Sequence, residues 1–390
     1  MNPLIKNRIE SIDLLKGLVM VIMALDHTRD YFHAAAHLYD PTDPNHTSIA
    51  IYFTRWITHF CAPAFSFLAG LSAFLSGKKK TKGELSAFLF KRGLWLIFLE
   101  LTVVNFAWFF DIHFHSQDLI VIWSLGISMI FLAALIHLPK SFILLFSCAL
   151  IFGHNLLDKV HFEGSVFWAI IHDGGYFPLG SNHSFIVFYP AVPWVGVMSL
   201  GYCFGSLYDK SFDSTKRKKL LNIIGFSAIA LFLILNLTHF YGEPKTWKHF
   251  DTFTKTMMSF LDHRKYPPSL LYLLMTLGPS LIFLANTENL KGRVINFFSV
   301  FGRVPFFYYI LHIYLIHITA MIFAQLSGFG WQKMILTDWV TNSSDLNGYG
   351  FSLLVVYLVW IGIIVIAYPL CKMFDKYKMN HKEKWWLSYL

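Results

Sequence analysis

Apolar and polar positions along the chain are arranged in blocks. Mostly apolar runs fall near 12–32, 49–76, 87–109, 118–137, 141–157, 185–208, 220–240, 267–286, 300–325 and 350–371. A helix needs about twenty such residues to cross the hydrocarbon core of a bilayer. The pattern therefore predicts an all-α polytopic membrane protein, a bundle of about ten transmembrane helices forming a single domain over residues 1–390. A short apolar piece, Val166 to Ile171, suits a half-helix that dips into the membrane. No internal repeat is visible, so the inverted-repeat signature of many transporters is missing.

Charge then orients the runs. Lys78, Lys79, Lys80 and Lys82 follow the second run, Lys216 to Lys219 the sixth, Lys291 and Arg293 the eighth, and Lys372 to Lys384 the tenth. If spans alternate, these clusters share one side with Lys6 and Arg8, and positively charged loops stay in the cytoplasm. Both termini are then cytoplasmic. The loops of the opposite side, near 33–48, 110–117, 158–184, 241–266 and 326–349, are longer and rich in His, Asp, Asn, Gly and aromatic residues.

Composition agrees. With 55% hydrophobic residues, 14% charged and a mean hydropathy of +0.51, the chain lies far from soluble domains, which carry roughly 25% charged residues. The net charge of +9 is read as topology, and the many aromatics as lipid-facing and interfacial packing, so no nucleic-acid partner is expected. Four cysteines, Cys61, Cys148, Cys203 and Cys371, have neither disulfide nor metal-ligand spacing. A secretory leader is disfavoured, because charged residues separate the first apolar run from Ala34 to Ala36 and many apolar runs follow.

The first run, SIDLLKGLVMVIMALDHTRDYF from Ser11 to Phe32, organises the candidate chemistry. Ionisable groups at membrane depth are costly and mark function or mutual pairing. Asp26, Arg29, Asp30 and His33 share one helical face, where Arg29 can neutralise both aspartates, whereas His27 points sideways toward the bundle or a cavity. An imidazole that is a free base near neutral pH can accept a proton. His59 and His312 lie at comparable depth on other runs. His59 and His317 are read as packed histidines bonded to backbone, and no metal is expected. At the cytoplasmic ends Lys16, Lys91, Arg92 and Arg303 are either snorkelling cations or a ring for a phosphate-bearing cofactor. Gly17, Gly93 and Gly302 beside them would let a bulky group approach the backbone. Arg264 and Lys265, before Tyr266-Pro267-Pro268-Ser269, suit a carboxylate or polar sugar.

Taken together, RIESIDLLKGLVMVIMALDHTRDYF, RWITHFCAPAFSFLAG, RGLWLIFLE, YPAVPWVGVMSLGY, KYPPSLLYLLMTLG, FGRVPFFYYILHIYLIH and the terminal WWLSYL resemble bacterial membrane proteins with a heparan-alpha-glucosaminide N-acetyltransferase-like catalytic domain. The resemblance covers essentially the whole chain. More distantly, the opening pattern resembles integral-membrane O-acyltransferases of bacterial surface polysaccharides. It implies a multi-pass enzyme of the bacterial inner membrane that takes acetyl-CoA from the cytoplasm. The acyl group would go to an amine or hydroxyl of a sugar-containing, glycan or lipid-linked acceptor outside. By position, His27 falls where the family keeps a polar residue ending the first span, and His37 is nearest to the catalytic histidine of the following loop, with His33 and His46 as rivals. Lys16 stands where an arginine is usual, which keeps the charge without bidentate phosphate binding.

The sequence-level assignment is then His27, Asp26 and His37 for catalysis, and Lys16, Arg92 and Arg303 for the acetyl-CoA phosphates. Arg29, Asp30, Lys265 and His312 fall to the acceptor. Asp26 would favour the imidazolium formed on His27. Direct transfer and an acetyl-histidine intermediate both remain open, as does a homodimer. The alternative from another class is a proton-coupled solute transporter with a histidine-lined cavity.

Overall fold

The computed structural model describes residues 9–388. Lys6, Arg8 and the last two residues of WWLSYL lie outside them. The chain is mostly helical: α1 Glu10–Phe32, α2 Ile49–Trp56, α3 Cys61–Gly77, α4 Lys82–Leu99, α5 Asn105–Phe109, α6 Val121–Leu135, α7 Lys140–Gly153 and α8 Val166–Trp168. It continues with α9 Ala191–Phe204, α10 Ser214–Thr238, α11 Phe253–Leu261, α12 Leu270–Thr287, α13 Arg293–Arg303, α14 Pro305–Leu326 and α15 Leu353–Asn380. Short helical turns join α2 to α3 and α4 to α5, so 49–77 and 82–109 each run on with little interruption.

Every apolar run of the sequence holds a helix. Among the described residues, six stretches are long and apolar enough to cross a membrane: Ile49–Gly77, Lys140–Leu157, Ser214–Thr238, Leu270–Thr287, Pro305–Leu326 and Leu353–Asn380. α1 misses that measure through its charges, and α6 and α9 through their length. The runs at 118–137 and 185–208 start on strands. β1 Ser116–Leu119, β2 Gly175–Leu179 and β3 His183–Val187 form a sheet of order β1-β3-β2, with β1 parallel and β2 antiparallel to β3. This departs from a wholly helical reading. A four-residue strand leading straight into an apolar helix leaves no break in the hydropathy pattern. Val166 to Ile171 becomes one short helix continued by a wider turn to Asp173.

Local sequence sets the helix starts. Ser48, Asp213, Thr252 and Ser269 cap α2, α10, α11 and α12 through their side-chain oxygens. Thr81 and Glu84 form a reciprocal capping box on α4. α1 is buried on nearly every side, its charged residues included, and packs against α3, α12, α13, α14 and α15. The approach of α13 is closest: a Cβ added at Gly302 would lie 1.8 Å from the Asp13 carbonyl oxygen, and one at Gly17 would lie 1.8 Å from that of Phe298. Gly93 of α4 and Gly126 of α6 meet in the same way. These glycines therefore receive neighbouring helices, which corrects the expectation that they make room for a cofactor. At the cluster 216–219, Arg217 is buried and forks onto Glu288, tying α10 to the end of α12.

Candidate active site

The last turns of α1 carry the charged ridge. Arg29 Nη2 donates to Asp26 Oδ1 at 2.9 Å and to Asp30 Oδ1 at 2.6 Å. Arg55 of α2 donates to the other oxygen, Asp26 Oδ2. One arginine therefore neutralises both aspartates of α1, as expected, with Asp26 at helical spacing and Asp30 next to it in the chain, while the second arginine comes from outside the helix. All four groups lie inside the protein or at the cavity wall, where an unpaired charge would be costly.

His27 leaves this ridge and faces a cavity of about 470 Å3. Its Nδ1 is 2.8 Å from Nε2 of His312 on α14, and His312 Nδ1 is 2.9 Å from the Tyr308 carbonyl oxygen. Trp108 at the end of α5 stands edge-on to the His27 ring at 4.7 Å between centroids. Trp108 in turn meets Trp339 at 4.7 Å, and Phe188 links Trp339 to Tyr266. Lys265, also on the wall, has its ammonium 5.1 Å from the Tyr266 ring centre. Burial alone would push the Tyr266 phenol up, but Lys265 and Arg55 outweigh it and hold the phenol below its usual value. The chamber thus combines two imidazoles, His27 and His37, with paired charges and an aromatic wall.

A second cavity of about 130 Å3 lies next to the first. Lys16 and Arg92 reach it, but Met20, Leu96, Leu125 and Met129 make most of its surface apolar. Phe65, Val121 and Tyr309 line both cavities and form the partition. Two helix faces run past it. On α1 the stripe is Lys16, Met20, Met23 and His27; on α3 it is Ala62, Phe65, Ala69, Ser72 and Ser76. Lys16 Nζ donates to Ser72 Oγ at 2.6 Å, so the two stripes are tied at the far end.

The structure gathers Asp26, His27, Arg29, Asp30, His37 and Lys265 around the first cavity, with His312 directly behind His27. His33 instead accepts the Ala35 amide as a cap, and His46 pairs with Asp43 at the surface; neither lines the cavity. Half-burial holds the His37 imidazole below its usual value, against the Val340 and Thr341 carbonyls, which pull it up. Asp26 spends its two oxygens on arginines, and the hydrogen-bond partner of His27 is His312. Of the expected basic ring, Lys16 and Arg92 share the second cavity. Arg303 does not line it; its Nε donates to Asp375 of α15 at 2.6 Å. His317 is held by the Ala107 and Met334 carbonyls at 2.9 and 2.7 Å, a packed histidine as its position suggests. His59 lies against Tyr272, whose hydroxyl donates to the His59 carbonyl at 2.7 Å.

Arg55, Trp108, Phe65 and Tyr309 are among the wall residues that the sequence does not single out. Arg55 had a signal, as a lone cation inside the apolar run 49–76 and one helical turn before His59. Phe65 and Tyr309 had none. Among forty Phe and eighteen Tyr, nothing local tells a partition from lipid-facing packing.

Helices long and apolar enough for a bilayer, packed around a cavity with imidazole and paired ions on its wall, mark an integral membrane protein. A family model described as heparan-alpha-glucosaminide N-acetyltransferase, catalytic, matches residues 8–239. This is more than half of the 390 residues, and the chain belongs to that family of membrane acetyltransferases. No curated protein matches. The match ends after α10, so KYPPSLLYLLMTLG, FGRVPFFYYILHIYLIH and WWLSYL lie beyond it, although Lys265 and Tyr309 from that part line the chamber.

Proposed function

We propose that the protein transfers an acetyl group from acetyl-CoA, bound from the cytoplasm, to an amine or hydroxyl of a sugar-containing acceptor on the outer face of a bacterial inner membrane. In this reading all ten apolar segments cross or line the bilayer and both termini are cytoplasmic. One observation carries it: the two cavities share the partition of Phe65, Val121 and Tyr309, with cations beyond the apolar one and His27 in the polar one. Lys16 precedes His27 by eleven residues on one helix stripe, roughly 16 Å along the axis. That length suits an extended phosphopantetheine arm with its phosphates at Lys16 and Arg92 and its thioester at the partition.

The acceptor lies in the larger chamber, where aromatic faces suit the apolar faces of a sugar ring and Lys265, Arg29 and Asp30 meet its polar groups. His27 takes the proton from the attacking amine or hydroxyl as the new C–N or C–O bond forms at the thioester carbonyl. The C–S bond then breaks, and CoA leaves as the thiolate toward the cytoplasm. General-base assistance of this kind gives about 10²–10⁴-fold. His37 stands on the same chamber wall as the second candidate for proton transfer.

The test is thermal stabilisation of detergent-purified protein by acetyl-CoA. Wild type should gain stability, His27→Ala should keep that gain while losing turnover, and Lys16→Ala and Arg92→Ala should weaken it. Absence of stabilisation at saturating acetyl-CoA would sink the donor assignment.

A further inference from the structure

We propose that His312 is a positioning residue that fixes the tautomer of His27, and this rests on the role of His27 as the base. The proton order follows from the hydrogen-bond chain. A carbonyl oxygen only accepts, so at 2.9 Å from the Tyr308 oxygen His312 Nδ1 carries the hydrogen. In the neutral ring Nε2 is then the lone pair. His27 Nδ1, 2.8 Å away, must donate to it, which leaves the lone pair of His27 on Nε2.

The ring geometry agrees with an in-line bond. The two imidazoles are inclined by only 19° with centroids 5.0 Å apart. A nitrogen–nitrogen distance of 2.8 Å at that separation requires the rings to lie edge to edge in nearly one plane, with N–H and lone pair aligned. His312 itself cannot serve the substrate directly. It is fully buried and is absent from the chamber wall, with Tyr308 stacked on one side and Tyr309 edge-on at another. The expectation that it touches the acceptor therefore gives way to a role exerted through His27.

The arrangement does for a histidine base what an orienting hydrogen-bond partner generally does: it selects which nitrogen is basic. Here the partner is an imidazole whose own tautomer is set by helix backbone. A neutral orienter adds no charge to the chamber, whose carboxylate Asp26 is already committed to Arg29 and Arg55. As His27 takes the acceptor's proton at Nε2, its Nδ1–H stays on His312 and the ring does not turn.

The experiment compares wild type with His312→Gln, whose amide oxygen can still accept from His27, and His312→Leu, which cannot. Histidine-selective ¹⁵N spectra, with His27→Asn to assign the His27 signals, report the tautomer whether or not the protein turns over. The expected result is a His27 ring protonated on Nδ1 in wild type and His312→Gln and a mixture of tautomers in His312→Leu. In turnover assays kcat should fall by about 10-fold or more in His312→Leu, with KM for acetyl-CoA unchanged, and should largely recover in His312→Gln. A wild-type His27 protonated on Nε2 overturns the proposal outright. Equal losses of kcat in the Gln and Leu variants overturn it too, and a wild type inactive with acetyl-CoA but showing the Nδ1–H tautomer faults only the assigned reaction.

Discussion

Asp26 of α1 and Arg55 of α2 form a buried ion pair across two helices, and Arg29 holds the other oxygen of the same carboxylate. Arg55→Ala removes one of the two guanidinium groups from a carboxylate that is only 7% exposed. Losing one partner of a buried pair generally costs about 3–5 kcal/mol. The expected outcome is a clear drop in melting temperature and a loosened chamber wall. Arg55→Lys should recover part of the stability. Thermal unfolding in detergent checks both.

His317→Ala separates a structural histidine from a chemical one. Its ring joins the Ala107 carbonyl, beside Trp108, to the Met334 carbonyl of the far loop. A neutral imidazole has one N–H to give these two carbonyls, so one bond of about 1 kcal/mol is lost together with the packing of a buried ring, and the variant should melt several degrees lower. Turnover per folded molecule should stay within a few-fold of wild type, whereas His27→Ala should show the reverse pattern.

Gly302→Val forces side-chain atoms into the Asp13 backbone, where even a Cβ finds 1.8 Å. Overpacking of this kind costs about 1–3 kcal/mol or more, and here rigid helix backbone stands on the other side. Reduced yield and a lower melting temperature are expected, and a neutral outcome would contradict the α1–α13 contact.

Asp118 gives a pH dependence. On β1, ahead of α6, burial pushes its carboxyl up from the usual 3.8 to about 7; Asp338 reinforces the shift and the Ser116 hydroxyl opposes it. Below about 4 the group is protonated both folded and unfolded. As pH rises toward 7 the unfolded chain sheds its proton first, so the folded state loses stability across that window and levels off above it. Asp118→Asn should remove this slope and melt higher than wild type at pH 8. Melting curves from pH 4 to 8 check the sign.

Phe65→Ala opens the partition on the α3 side. Under the proposed function it should shift donor preference from acetyl-CoA toward longer acyl chains, read as the ratio of kcat/KM for butyryl-CoA to that for acetyl-CoA. An unchanged ratio would remove Phe65 from the acyl path.

The membrane helices were legible because membrane depth imposes a simple length and polarity rule, and each apolar run holds a helix with small shifts at its ends, whereas α8 and α11 lie in the loops between runs and α13 mostly precedes the ninth run. The Arg29–Asp26 link was legible from helix geometry, since residues three apart on a helix are neighbours, and Asp30, next to Arg29 in the chain, is within reach of the same long side chain. What a sequence cannot supply is which helix faces which. Arg55 and His312 lie 29 and 285 residues away from their partners on α1. Arg303 looked like part of a basic ring until α15 brought Asp375 to it. The glycines show the same limit, because a small residue signals close approach without saying what approaches.

The partition of Phe65, Val121 and Tyr309 has an electrical consequence. If donor and acceptor meet through a wall one side chain thick, no open water path has to form for the group to cross. A transporter alternates its openings to avoid leaking ions, whereas under the proposed function this arrangement would pass two carbons by exchanging one covalent bond for another. On that reading an acetyl group crosses the membrane without discharging its potential.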